Sequence, residues 1–292
     1  MPDAPEVREL HEAATAASIA ADYLALADLA RQMIQLSERT QDARGVAWGR
    51  YFSGVAFYQR SDGPAAQREF RTSRDLFEKI GDREGVARGM LGLAVVALDI
   101  DADVDQARHL YDLAAPILRA VGDSRGLGNV LGNLGEICRL EGSPGKAEGY
   151  AAEALELFRE SDNHALAGWQ LTNIAHFRLL LRDEVGAIDC MHEAYEELSQ
   201  DPVPRWIAWY FDTWFIIAAT LGHWEKAAQI YAFSNRYRDE HSAPRYQGIL
   251  PWFSGPVEQL SQNIGDDELP KLFDAGEVLT VDTAIALVFE IV

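Results

Sequence analysis

Apolar residues along this chain recur at three- and four-residue intervals, in runs of about 16 to 18 residues broken by short polar turns, and these runs predict helices. Paired runs fall over 44–59 and 64–80, 84–99 and 104–121, 125–140 and 144–160, 164–181 and 184–199, and 204–221 and 223–239. The stretch 5–39 supplies another pair. Turn chemistry separates partners within a pair: SDGP at 61–64, DIDAD at 99–103, EGSPG at 141–145 and LGH at 221–223. No alternating apolar and polar run with flanking turns is present, so no strand is predicted.

The pattern repeats with a period near 40. QDARGVA (41–47), GDREGVA (81–87), GDSRGLG (122–128) and SDNHALA (161–167) are versions of one phrase. Their aspartates, Asp42, Asp82, Asp123 and Asp162, with Asp201 in a weaker copy, precede apolar runs and are expected to cap helix N-termini. Ala66, Ala107, Ala147, Ala187 and Ala227 form a column of small residues spaced by 40 or 41, with Ala27 as a looser first copy. A second column, Ala14, Gly54, Ala94, Gly135 and Ala175, is broken in the sixth copy by Phe215. Small residues at two fixed points per unit let antiparallel helices approach closely. Two coincident columns are hard to reconcile with an ordinary helical bundle.

The repeat resembles the tetratricopeptide repeat in a long form. Leu131, Leu134 and Gly135 stand at the first signature positions, Cys138 where Tyr is usual, Gly142 in the turn, and Ala147 and Ala154 at the two alanines of the second helix. The signature Trp and the closing Pro are absent. The resemblance covers about residues 5–240. It implies an all-α solenoid, a right-handed superhelix of about six antiparallel helix pairs over 1–243, followed by a helical cap over 244–292.

The tail differs from the repeats. Three prolines and two glycines in HSAPRYQGILPWFSGP exclude a regular hairpin there. Three short amphipathic pieces follow, the last with Thr280 and Asp282 placed to cap it. A solenoid needs such a cap to cover its terminal apolar face. Tyr246, Ile264-Gly265, Phe273, Gly276 and Leu279-Thr280 resemble the end of the helical-repeat regions of bacterial ATPase-type transcriptional regulators and nucleotide cyclases.

Composition narrows the function. With 46 Asp and Glu against 26 Lys and Arg, the net charge of -20 disfavours nucleic-acid backbones and anionic membranes. No secretory signal and no run long enough to cross a membrane is read in the sequence, and two lone cysteines, Cys138 and Cys190, fit a reducing compartment, so a cytoplasmic location is expected. No phosphate-binding loop, HExxH or GxSxG motif occurs. The seven histidines form no i, i+4 pair. Asp99, Asp101, Asp103 and Asp105 lack the glycine and terminal glutamate of a calcium loop and read as a solvated acidic turn. The cluster Asp266-Asp267-Glu268 reads as a helix start. Arg68, Arg71 and Arg74 form a solvated basic stripe. No enzymatic activity, metal or cofactor is expected.

In the resembled family the first helix of each pair lines a concave face. Its exposed positions include Trp48, Tyr51 and Tyr58, then Arg88, then Asn129, Glu136 and Arg139, then Trp169, Thr172 and His176, and finally Trp209 and Asp212. Aromatic anchors beside Arg and Asn suit peptide recognition. The candidate partner-binding residues are Arg88, Asn129, Arg139, Trp169, Thr172, His176 and Asp212. Trp209 and Trp214 fit the groove or the core equally well. The function expected is a scaffold that binds a peptide or protein through this groove, and the acidic charge favours a basic partner. The alternatives are a sensor arm for a signalling or transcription-regulator ATPase system and, third, a small-molecule binding protein or enzyme.

Overall fold

The computed structural model describes residues 2–19, 22–241, 243, 245 and 250–291. It is 84% helical, with fifteen helices and no strand among the described residues. Six pairs come first: α1 (Pro5–Ile19) with α2 (Tyr23–Thr40), α3 (Ala43–Gln59) with α4 (Gly63–Lys79), α5 (Arg83–Asp99) with α6 (Val104–Val121), α7 (Ser124–Leu140) with α8 (Pro144–Glu160), α9 (His164–Leu180) with α10 (Glu184–Gln200), and α11 (Pro204–Thr220) with α12 (Trp224–His241). The tail holds α13 (Leu250–Ile264), α14 (Leu269–Glu277) and α15 (Val281–Phe289).

One device starts seven of the twelve paired helices. The carboxylates of Asp22, Asp42, Asp62, Asp82, Asp103, Asp123 and Asp183 each accept the backbone N–H three residues on, at 2.8–3.1 Å. Caps of this kind stabilise a helix by about 1 kcal/mol each. The residue before the cap is left-handed in nearly every turn: Gln41, Ser61, Gly81, Ala102, Gly122 and Arg182 all have positive φ. That seat ends one helix and aims the chain at the next cap. Two expected caps move. Asp162 occupies the left-handed seat, at φ 49°, and Asn163 caps α9 instead. Asp201 is the C-cap of α10, and α11 begins at Pro204, with Val203 at its N-cap and no side-chain cap.

The chain divides into two compact units, 1–137 and 138–292, the division falling within α7. In the first, Val7, Leu26, Met33, Trp48, Phe52 and Phe77 form one core. Leu26, not Ala27, fills the column position of the first pair: it is fully buried, whereas Ala27 is partly exposed. Gly54 of the second column, and Gly92 outside it, share one specific partner. A Cβ on Gly54 or Gly92 would stand 2.7 or 2.5 Å from the ring of Phe70, so both glycines make room for that ring between α3 and α5.

In the second unit, Ala147, Ala187 and Ala227 are fully buried. Helix α11 is enclosed along nearly its whole length, packed by α9, α10, α12 and α13. Phe215 breaks the small column because its neighbour is the tail: it is fully buried against Tyr231 and Phe253, at 5.1 and 5.3 Å between ring centres. Gly276 of α14 rests on α12, where a Cβ would stand 2.3 Å from the Gln229 carbonyl oxygen. Phe273 packs on Tyr231, and Thr280 caps α15 in a reciprocal box with Thr283. Tyr246, one of the tail residues singled out in the sequence, lies outside the described residues.

Candidate functional site

In the first unit, Arg88 projects from α5 and is partly exposed. Its guanidinium pairs with Asp123 at 2.6 Å, the carboxylate that also caps the start of α7. Arg88 therefore ties one helix to the cap of another. Asn129 of α7 is partly exposed, and its carbonyl accepts a bond from Asn133 one turn on. Trp48 belongs to the core: it is 7% exposed and meets His11 and Phe77 edge-on.

In the second unit the candidates separate. Trp169 of α9 is partly exposed and stacks on Trp206 of α11, 4.7 Å between ring centres and 22° between planes, with the Arg205 guanidinium 4.1 Å from the Trp206 ring. Trp206, itself 7% exposed, is the platform on which Trp169 lies. Next along the same helices, Trp209 donates its indole N–H to Asn173 at 3.1 Å. His176 is buried near Trp209, and burial first, then the charge of Arg139, hold its pKa well below the usual imidazole value. It is a neutral imidazole at pH 7. Arg139 is itself 8% exposed.

Thr172 and Asp212 leave no surface for a partner. Thr172 is fully buried, and its hydroxyl donates back to the Gly168 carbonyl of its own helix. Asp212 is fully buried, and its carboxylate takes Ser234, Arg238 and Arg245. The cause in both cases is that the helices carrying them are sandwiched between neighbours, so positions exposed on an idealised repeat are enclosed here. Trp209 and Trp214 resolve as core residues, at 8% and 0% exposure.

The acidic turn is solvated at Asp101, Asp103 and Asp105 but not at Asp99. Asp99 is half-buried at the end of α5 and accepts a hydrogen bond from Tyr58. Burial, then the charge of Glu136, push its pKa up to about 6 against the Tyr58 bond. The sequence signal was available, since Tyr58 and Glu136 already stood at inward-facing positions of neighbouring repeats. Burial pushes the Cys190 thiol up to about 11 despite Arg178 at 3.3 Å, so it stays protonated. Among the described residues no three His, Cys, Asp or Glu gather as metal ligands, and no helix is long and apolar enough to cross a membrane.

A tetratricopeptide-repeat family model matches residues 100–160, which span α6, α7 and α8. Over that stretch the chain carries a tetratricopeptide-type repeat. The solved structures agree on the fold. A Rap protein complexed with Competence and Sporulation Factor superposes with a TM-score of 0.61 at 14% identity, over 89% of this chain and 80% of that one. The Rap conjugation gene regulator of plasmid pLS20, in complex with the Phr* peptide, gives 0.58 at 15% identity over 96% and 71%. BtubC from P. vanneervenii gives 0.58 at 17% identity over 76% and 93%. No curated protein matches the sequence.

Proposed function

We propose that this chain is a non-catalytic scaffold that binds a peptide or a peptide-like segment of a protein on the first-helix faces of its repeats. The observation that carries this reading is the Trp169–Trp206 stack: a partly exposed indole held rigid on a buried one, the kind of preorganised ring that anchors a ligand without ordering cost. Arg139 and His176, the other candidates of the second unit, are buried, and Trp169 is the one that keeps an exposed edge. Arg88 and Asn129 are the corresponding candidates within the first. Asn129 has the amide chemistry to pair with a peptide backbone, and the arginines have the planar donors that recognise carboxylates. Thr172 and Asp212 support the helices that carry these residues. Peptide binding by the similarly folded pLS20 regulator supports the reading.

A second reading, an interaction arm in a gene-regulatory system, draws its support from the same regulator. Affinity capture followed by mass spectrometry tests both readings. Wild-type protein should retain a specific polypeptide that the Arg139→Glu, Trp169→Ala double variant loses. Capture of an ATPase or cyclase would select the second reading, and retention unchanged in the folded variant would move the site away from these residues.

A further inference from the structure

Within the second unit, the last turns of α12 and the turn between α14 and α15 line a cleft of about 420 Å³. Its α12 wall is a ladder of rings. Phe233 and Tyr237 lie 5.8 Å apart between ring centres, and Tyr237 and His241 stack at 4.1 Å and 23°. Residues four apart share one face of a helix, so the three rings form a single column. Arg236 ties the two walls together. It donates to the Leu279 carbonyl across the cleft and, at 2.7 Å, to Glu240 one turn on along α12. Val278 and Val281 add apolar surface on the far wall, and Val278 is 79% exposed.

The polar groups of the cleft are unequally satisfied. The Arg236 guanidinium is already engaged by Glu240 and Leu279. Glu277, which is exposed, has no partner among the described residues, and neither has the Tyr237 hydroxyl. Glu240 uses Oε1 on Arg236 and leaves Oε2 unused. His241 donates from Nδ1 to the Tyr237 carbonyl at 2.8 Å, so Nε2 is its unpartnered nitrogen. An anion entering here would meet two carboxylates and a guanidinium that is already paired. A cation would meet a free carboxylate, a second with one oxygen to spare, and the faces of a ring column. Ring faces and carboxylates both attract an N–H cation, and the two valines can cover an apolar stem.

We propose that this cleft binds a primary ammonium carried on an apolar stem, with Glu277 and Glu240 accepting from the ammonium, Tyr237 and His241 flanking it, and Val278 and Val281 covering the stem. A free alkylamine and a lysine side chain share this chemistry. Arg236 is the positioning residue, because its bond to Leu279 holds the turn that carries Glu277 and Val278 against α12. The site uses none of the Trp169 surface and stands or falls separately from the peptide-binding reading.

The test titrates hexylammonium chloride and a blocked lysine, N-acetyl-lysine-N-methylamide, into the isotopically labelled full-length protein and follows backbone amide shifts. It is run at about pH 8, above the ordinary imidazole range, and at low ionic strength, which preserves exposed ion pairs. Hexanol and hexanoate are the matched probes without the positive charge. At least one ammonium probe should give saturable shifts centred on 237–241 and 277–281, and the uncharged and anionic probes should give none there. Tighter binding of hexylammonium identifies a free amine as the ligand, and tighter binding of the blocked lysine identifies a lysine side chain. Glu277→Gln changes an exposed, unpartnered residue, so the fold should be retained, as melting will check. It should weaken binding at least about threefold, and the Glu240→Gln, Glu277→Gln double variant at least about tenfold. Shifts scattered over the acidic surface, an equal response to hexanol, or an affinity unchanged in the double variant would each overturn the proposal.

Discussion

Asp212 grips Arg245 at two points: Nη2 donates to Oδ1 at 2.8 Å and Nε to Oδ2 at 3.1 Å. Arg238 pairs with the same carboxylate and donates to the Ala243 carbonyl at 2.7 Å, while Ser234 donates to Asp212 at 2.5 Å. Arg245 also bonds Asn235 and lies 4.6 Å from the Phe253 ring. One buried carboxylate on α11 therefore joins α12 to the start of the tail. Removing it strands two guanidinium groups, so Asp212→Asn should destabilise the protein by about 3–5 kcal/mol. Arg245→Met leaves Asp212 with Arg238 and Ser234 and should cost less. Urea unfolding of the two variants checks the order, and an equal loss would mean that Arg245 carries the cluster.

Gly276 gives a test of the tail's docking on α12. Replacing a helical glycine by alanine ordinarily stabilises by about 1 kcal/mol. Here the added methyl would meet the Gln229 backbone oxygen, which cannot swing aside as a side chain could. Gly276→Ala should therefore lower stability by about 1–3 kcal/mol, the cost of overpacking. Thermal melting of the variant reads the sign directly. Ala147→Leu, at a fully buried column position, should cost a similar amount.

His11 sets one part of the pH dependence. Both ring nitrogens are enclosed without partners among the described residues, between Trp48 and Phe52. Burial, with a contribution from the Arg88 charge, lowers its pKa from 6.5 to about 4. The unfolded chain thus binds more protons than the folded one between these values, so stability is full above about pH 6.5 and falls as pH drops toward 4. The loss from this residue is at most about 3 kcal/mol. His176, also held neutral by burial, acts in the same direction. Urea midpoints from pH 7 to pH 4.5 should fall less steeply for His11→Leu than for wild type.

Asp99 acts with the opposite sign. Its folded pKa of about 6 lies above the unfolded value of 3.8, so its contribution is fully present below about pH 3.8 and is lost as pH rises through 6. The ionised carboxylate is a stability liability at neutral pH. Asp99→Asn should raise stability at pH 7 by about 1–2 kcal/mol after discounting for its partial exposure, and the gain should vanish near pH 4. Paired denaturation curves at the two pH values measure it. A destabilised variant at pH 7 would mean that the Tyr58 bond outweighs the burial of charge.

The helix pairs were legible because each is specified locally: Asp42, Asp82 and Asp123 stop and restart the chain where their carboxylates find free N–H groups, and Ala147 and Ala187 mark the close contacts. The caps of α9 and α11 were misplaced because Asn163 and Pro204 solve the same geometric problem with different chemistry. The inward-facing positions were less legible. A repeat register gives the direction a side chain starts in, not what lies above it. Trp169 keeps an exposed edge, whereas Asp212, assigned to the same surface, disappears beneath Arg238 and Arg245, residues far along the chain whose pairing no local pattern reveals. Asp99 was hidden by its company, since three exposed aspartates follow it in the same turn.

The account stands most directly on Trp169. Isothermal titration of a library-selected peptide into wild type and into the Arg139→Glu, Trp169→Ala double variant, with folding of both confirmed by circular dichroism, measures the anchor's worth. The expected result is a loss of about 2 kcal/mol or more, roughly a thirtyfold weakening. An affinity within twofold of wild type would contradict it and place the binding surface elsewhere on the chain.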